Sequence, residues 1–266
     1  MSIENINKIN IPDLVFIVPY RDRELEKMVF ISVMEKILSH LNYKIFFIHQ
    51  NDKRLFNRGA IKNIGFLYVK KCWPDNYKNI TLIINDIDSL PYYKDQFNFQ
   101  TKENIIKHHF GFKHTLGGFF SIIASDFEKI NGFPNIWTWG LEDNILLKRV
   151  KKINIHIDYS NFVNIKTDYK KKIINFNNYK KRNINKNIQF KIETNSIFDG
   201  ISLIKNIKYG KEHHITNDIS MIDIDYFETG EDYKLYLDNT NYIPPVKTFK
   251  KINRTFSKKK NMFKTY

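Results

Sequence analysis

Within its first 86 residues the chain carries three short, almost unbroken apolar runs, LVFIV (14–18), YKIFFIHQ (43–50) and TLIIND (81–86). Strands that stay apolar on both faces are buried on both sides, which requires a sheet with layers packed over it. The segments between them change period. Phe30, Val33, Met34, Ile37, Leu38 and Leu41 recur at the spacing of one helix face. FNRGAIKNIGFLYVKK (56–71) reads as a second helix, with Asn57 placed to cap it. Strand, helix, strand, helix, strand predicts an α/β fold: a central, mostly parallel, twisted sheet flanked by helices. Ligands of such sheets bind beyond the carboxyl ends of the strands. That rim holds PYRDR (19–23), the residues after Gln50, and NDIDSLP (85–91).

LGGFFSIIASDFEKINGFP (116–134) reads as a strand and a short helix stopped at Asn131-Gly132. A further helix is expected from residue 142 to about 153, with Leu146, Val150 and Ile153 on one side. Beyond Asp158 the pattern dissolves into Asn/Lys/Ile-rich text, ending in a strongly basic stretch, KTFKKINRTFSKKKNMFKTY (247–266), expected to be a mobile tail. No G-x-G-x-x-G or P-loop pattern occurs, which argues against dinucleotide-binding and P-loop chemistry.

Charge and cysteine usage narrow the setting. A formal net charge of +15 attracts anions: nucleic acid, acidic membrane or phosphorylated small molecules. Cys72 is the single cysteine, so no intrachain disulfide can form and a reducing compartment is expected. MSIENINKINIPDLVFIVPY lacks a basic segment followed by a long apolar run, and no stretch approaches the roughly 18 apolar residues that span a bilayer. The expectation is a soluble cytoplasmic protein without a transmembrane segment.

Four groups of residues could carry chemistry. Asp86-Ile87-Asp88 closes an apolar strand with two carboxylates, oxygen ligands suited to Mg²⁺ or Mn²⁺, although Asp and Ser are also common at plain strand ends. Arg21 and Arg23, flanking Asp22, can grip phosphates by forked hydrogen bonds or simply open a helix. Gly117-Gly118 lets backbone approach a phosphate closely, or makes an ordinary turn. Glu142-Asp143 either complements the positive end of a helix or supplies a general base at a site walled by Trp137 and Trp139, whose indole faces suit sugar rings.

Five blocks, in order, resemble the β-1,4-galactosyltransferase family of GT-A fold enzymes. They are FIVPYRDR (16–23), LFNRGAIKNIGF (55–66), INDIDSLP (84–91), LGGFFSI (116–122) and INGFPNIWTWGLEDN (130–144), with DGISLIKNI (199–207) a fainter sixth. The resemblance implies a metal-dependent, inverting hexosyltransferase that uses a UDP-sugar donor and a glycan or glycoconjugate acceptor. It places Pro19, Arg21, Arg23, Phe56, Asn57, Arg58, Asp86, Gly118 and Trp139 on the donor and Trp139, Glu142 and Asp143 on the acceptor. Asp143 is the implied base, with Glu142 beside it, and Asp88 the implied ligand of Mn²⁺ or Mg²⁺.

Three departures accompany the resemblance. Thr115 stands where the family has an aromatic that helps to select the sugar, leaving galactose, N-acetylgalactosamine and glucose open. Leu141 replaces the second glycine before the acidic pair, and Asn144 replaces the acid after it. The family's Met/His metal segment has no counterpart, His156 and Asp168 being the nearest ligand types. The implied organisation is one domain over 1–244, with a nucleotide and metal half at about 11–125 and an acceptor half at about 126–244, then the basic tail 245–266. A virus or bacterium that glycosylates in its cytoplasm would suit such a chain. The competing readings are a catalytically degenerate binder of sugar nucleotide or glycan, and a basic nucleic-acid-binding protein; a specific nucleic-acid partner is not expected.

Overall fold

The computed structural model describes residues 11–137, 140–167, 173–175 and 199–230. The chain opens with β1 (Leu14–Tyr20), α1 (Glu24–Leu38), β2 (Tyr43–Gln50), α2 (Arg58–Cys72) and β3 (Thr81–Asn85). These are the five elements expected from the periodicity. Leu41 lies just past α1 at the surface, while Phe30, Met34, Ile37 and Leu38 carry its buried stripe. Asn57 caps α2 as expected, its side chain accepting from the Ala60 N–H at 3.0 Å.

After a short β4 (Ser89–Pro91) come β5 (Ile105–Gly111), β6 (Phe119–Ile123), α3 (Ala124–Lys129), α4 (Glu142–Lys152), β7 (His156–Asp158), β8 (Val163–Asn164) and β9 (Ile173–Asn175). A hairpin of β10 (Lys205–His214) and β11 (Ile219–Glu228) follows. Asn131 and Gly132 both take positive φ, 58° each, and end the α3 segment as the sequence predicts.

One nine-stranded sheet runs in the order β10-β11-β2-β1-β3-β6-β5-β7, with β8 also on β5, while β4 and β9 pair separately. β1 lies parallel to β2 and β3, and β11 joins β2 in parallel; β6 reverses against both β3 and β5. The sheet is therefore mixed and mostly parallel. It is continuous across the expected boundary near residue 125, because β11 pairs directly with β2. Alternate side chains of β1 enter opposite cores: Val15 and Ile17 pack with α2, α3 and α4, whereas Leu14, Phe16 and Val18 pack with α1. Burial on both faces explains the unbroken apolar runs.

The carboxyl ends of β1, β2 and β3 share one rim, which brings Tyr20–Arg23, Asn51–Asn57 and Asp86–Asp88 together in space. Asp168, Trp139 and the basic tail at 245–266 lie outside the described residues. Among the described residues no helix is long and apolar enough to cross a membrane.

Candidate active site

Three chain segments converge beyond β3. The strand ends at Asn85, and the Asp86 N–H donates to the Gly118 carbonyl at 3.0 Å, tying the end of β3 to the entry of β6. Helix α4 begins with Glu142 and Asp143, reached through two successive positive φ angles at Gly140 (120°) and Leu141 (68°). The Leu116 N–H donates to the Asp143 carbonyl at 3.1 Å, fixing the helix start beside Gly117. Helix α2 points its first turn at both.

Arg58, the first residue of α2, joins them. Its Nη2 donates to Asp86 Oδ2 at 2.5 Å and its Nε to Asp86 Oδ1 at 3.2 Å. Nη1 donates to Glu142 Oε1 at 2.6 Å and, more weakly, to Asp143 Oδ2 at 3.4 Å. One turn further, Lys62 is 1% exposed, with Nζ 3.5 Å from Asp86 Oδ1 and 3.5 Å from Asp143 Oδ1. Asn63 holds the segment leading to α4: it donates to the Phe133 carbonyl at 2.8 Å and to Asn135 Oδ1 at 3.1 Å, and accepts from the Phe133 N–H at 2.8 Å.

The electrostatics separate three of the carboxylates. Burial raises the cost of ionising Asp86, yet Arg58 and Lys62 outweigh it and hold its carboxyl below the ordinary range. Asp88 is 9% exposed, and burial together with the Asp86 charge pushes it up, against the pull of Arg58 and Arg23. Burial and the adjacent Asp143 likewise push Glu142 up. The rim thus has one firmly ionised acid, Asp86, beside two, Asp88 and Glu142, that a further cation would stabilise.

Around this centre the expected donor residues divide. Pro19 lies one residue before the end of β1, opposite Ile48, and Arg23 bonds Glu26 at 3.0 Å while its charge reaches Asp88. Arg21 is spent on the rim itself: it donates to the carbonyls of Gln50, Asp52 and Arg54 at 3.1, 2.9 and 2.6 Å, and lies 5.4 Å from the Phe56 ring centre. It shapes the loop that carries Phe56 and Asn57. Gly118 has φ 77°, and a Cβ there would sit 2.2 Å from the Phe110 carbonyl oxygen, so close packing of β5 explains that glycine.

Two sequence readings change. Trp137 belongs to the core, 1% exposed, stacked on Phe227 at 5.1 Å with its Nε1–H on Thr229 at 3.0 Å, so it does not wall the site. His156 is exposed and pairs with Ile105 at the amino end of β5. The site lies near Gly111 at the other end, six residues or about 20 Å away at 3.3 Å per residue. The structure therefore does not bring His156 to Asp88. Two residues were not singled out for the roles they take here. Lys62 looks like an ordinary helix lysine in the sequence. Gly117 would, with a Cβ, collide with Asp143 Oδ2 at 2.4 Å, so it is this glycine that leaves room for the acid.

Residues 9–101 match the family model described as the N-terminal region of glycosyl transferase group 7, and residues 98–172 match that described as the N-terminal domain of galactosyltransferase. The chain is 30% identical over 155 residues to the xylosylprotein 4-beta-galactosyltransferase of Caenorhabditis elegans, covering 53% of this chain and 52% of the relative. It is 31% identical over 151 residues to the human beta-1,4-galactosyltransferase 4, covering 52% and 42% respectively. The chain thus spans about half the length, or less, of these curated relatives. In fold it is similar to the catalytic domain of Drosophila beta1,4galactosyltransferase 7 in complex with xylobiose, with a TM-score of 0.66 at 22% identity over 85% of this chain and 97% of that one. A mutant of the same Drosophila enzyme in complex with manganese, UDP-Gal and xylobiose gives a TM-score of 0.65 at 20% identity.

Proposed function

The chain belongs to the glycosyl transferase group 7 family, and from that premise we propose that it is a metal-dependent, inverting glycosyltransferase that moves a hexose from a UDP-sugar to a sugar hydroxyl. The observation that carries this reading is Arg58, which gathers Asp86 from the strand rim and Glu142 and Asp143 from α4 into one cluster. A donor-side acid and an acceptor-side acid then face the same space, as a two-substrate transfer needs.

Asp88 would hold Mn²⁺ or Mg²⁺. Its carboxyl is buried and pushed up, so a hard cation would stabilise its ionised form. Among the described residues no group of three or more His, Cys, Asp or Glu is placed to hold an ion. When bound, such an ion neutralises charge on the departing diphosphate.

Asp143 takes the proton of the acceptor hydroxyl, whose oxygen attacks the anomeric carbon on the face opposite UDP. The bond from that carbon to the diphosphate oxygen breaks, and UDP leaves with the electron pair. Glu142 binds the acceptor, and Trp139, together with Pro19, Arg23, Phe56 and Asn57, binds along the donor. Galactose is the donor sugar named with the Drosophila neighbour; N-acetylgalactosamine and glucose stay in the proposal because Thr115 stands at the selecting position. The positive charge of the chain draws in the anionic donor. A cytoplasmic setting, as in a virus or bacterium that glycosylates there, completes the proposal; the single cysteine, Cys72, supports the reducing compartment alone.

UDP release from a panel of UDP-sugars, with Mn²⁺ or EDTA and with or without sugar acceptors, tests it. Release from one donor that needs the metal and rises with acceptor is expected, and Asp88→Ala and Asp143→Asn should each abolish it in a folded protein. Binding of UDP with no release from any donor would sink the transferase reading and leave a sugar-nucleotide binder.

A further inference from the structure

Lys62 has no part in the function as stated so far, and its setting is unlike that of any neighbour on α2. Ile61, Ile64 and Phe66 are fully buried and already pack the helix into its core, and Asn63 pins it to the 133–135 segment. An apolar side chain would fill position 62 without the cost of burying an ammonium. Instead a lysine is 1% exposed there, roofed by the Phe133 ring at 4.5 Å and aimed between two acids.

The arithmetic of hydrogen bonds gives the reason. Arg58 spends its short contacts, 2.5 and 2.6 Å, on Asp86 and Glu142, and reaches Asp143 only at 3.4 Å. Asp143 is flanked by the Glu142 carboxylate, and its backbone is tethered at Leu116. The groups facing it are Arg58, Lys62, Glu142 and, through space, the buried His108, with Asp86 on the far side of the two shared cations. Lys62 is the only cation among the described residues that addresses Asp143 Oδ1, as Arg58 addresses Oδ2.

We infer that Lys62 is a positioning residue of the transfer reaction, a buried cation that holds the Asp143 carboxylate aimed beside Gly117 while its second acid, Asp86, links the base to the donor rim. Both cations stand 3.4–3.5 Å from Asp143, so neither engages it as tightly as Arg58 engages Glu142, and the oxygens stay able to accept a proton. The inference rests on the reading of Asp143 as the base.

The test uses Lys62→Met and Lys62→Gln in the full chain, so that one folded variant suffices, with folding checked by a cooperative melt. Carbon-13 labelling of the aspartate carboxyls, with the Asp143 signal assigned through Asp143→Asn, reads the surroundings of that group at one fixed pH without any turnover. The signal should move in either variant, and kcat should fall about tenfold, as for a catalytic group that has lost its aim. KM for the UDP-sugar should stay within about threefold, because the loss is confined to the base. An Asp143 signal that does not move overturns the inference whatever kcat does, and so does a loss carried entirely by KM. If the unmodified chain transfers no sugar, the functional reading fails, while the carboxyl signal still decides whether Lys62 positions Asp143.

Discussion

Arg58 donates to Glu142 at 2.6 Å across 84 residues of sequence, joining the first turn of α2 to the first turn of α4. Two helix starts, each with a positive dipole end, face a shared group of carboxylates, and the guanidinium stands where their charges meet. Burial alone would push Arg58 down, but Asp143, Asp86 and Glu142 together hold it charged. Arg58→Lys keeps one charge and gives up the fork that spans Asp86 and Glu142. We expect kcat/KM to fall on the order of 100-fold, a loss of about 3 kcal/mol in transition-state binding. Arg58→Ala, which leaves buried carboxylates uncompensated, should also cost about 3–5 kcal/mol of stability by urea unfolding. Equal unfolding midpoints for all three proteins would contradict that account.

Gly117→Ala probes the space around the base. Its Cβ would stand 2.4 Å from Asp143 Oδ2 and 2.9 Å from Cγ, and Asp143 cannot retreat without breaking its contacts to Arg58 and Lys62. Activity should fall on the order of 100-fold through kcat, since a displacement of about 1 Å in a catalytic group costs that much. The melting temperature should fall as well, because the displaced carboxylate gives up its contacts to Arg58 and the buried Lys62.

Asp88 offers a test of function against stability. Its ionised form is opposed by burial and by Asp86, so Asp88→Asn removes a repulsion from the metal-free protein. In EDTA the variant should melt above the unmodified chain by a few degrees, as expected for about 1 kcal/mol. Millimolar Mn²⁺ should raise the melting temperature of the unmodified chain and leave that of Asp88→Asn unchanged. A variant that still responds to Mn²⁺ would move the ion to other ligands.

What the sequence disclosed was local. The apolar runs of β1, β2 and β3, the Asn57 cap and the Asn131-Gly132 stop each depend on a few neighbouring residues, and the structure repeats them. What it hid depends on distant partners. Arg21 and Arg58 are both arginines at the rim, yet one grips loop carbonyls and the other grips carboxylates. Gly117 and Gly118 are adjacent, and only packing shows that the first clears Asp143 and the second clears Phe110. The β10–β11 hairpin has no clear sequence pattern because β10 is an edge strand with little buried surface, KNIKYGKEHH, which leaves β11 to carry Ile219, Ile222, Ile224 and Phe227 into the core.

The two histidines of β5 make the fold sensitive to acid. The His108 Nε2–H donates to the Gly117 and Phe110 carbonyls, and His109 bonds Ser121 Oγ at 2.8 Å with its ring among Phe97, Phe99 and Phe119. Burial lowers their pKa values to about 4 and about 3. The unfolded chain takes up these protons near pH 6.5, the folded chain only near 3 to 4, so between those limits the unfolded state binds more protons and stability falls as pH falls. At pH 4 the loss should be on the order of 3 kcal/mol for each histidine. Asp86, held low, loses its own contribution only at still lower pH. Unfolding in urea from pH 7 to 4 should show this decline, and His109→Gln, which cannot titrate, should flatten its slope by up to about 1.4 kcal/mol per pH unit. An unchanged slope would mean that the acid sensitivity lies in the carboxylate cluster and not in β5.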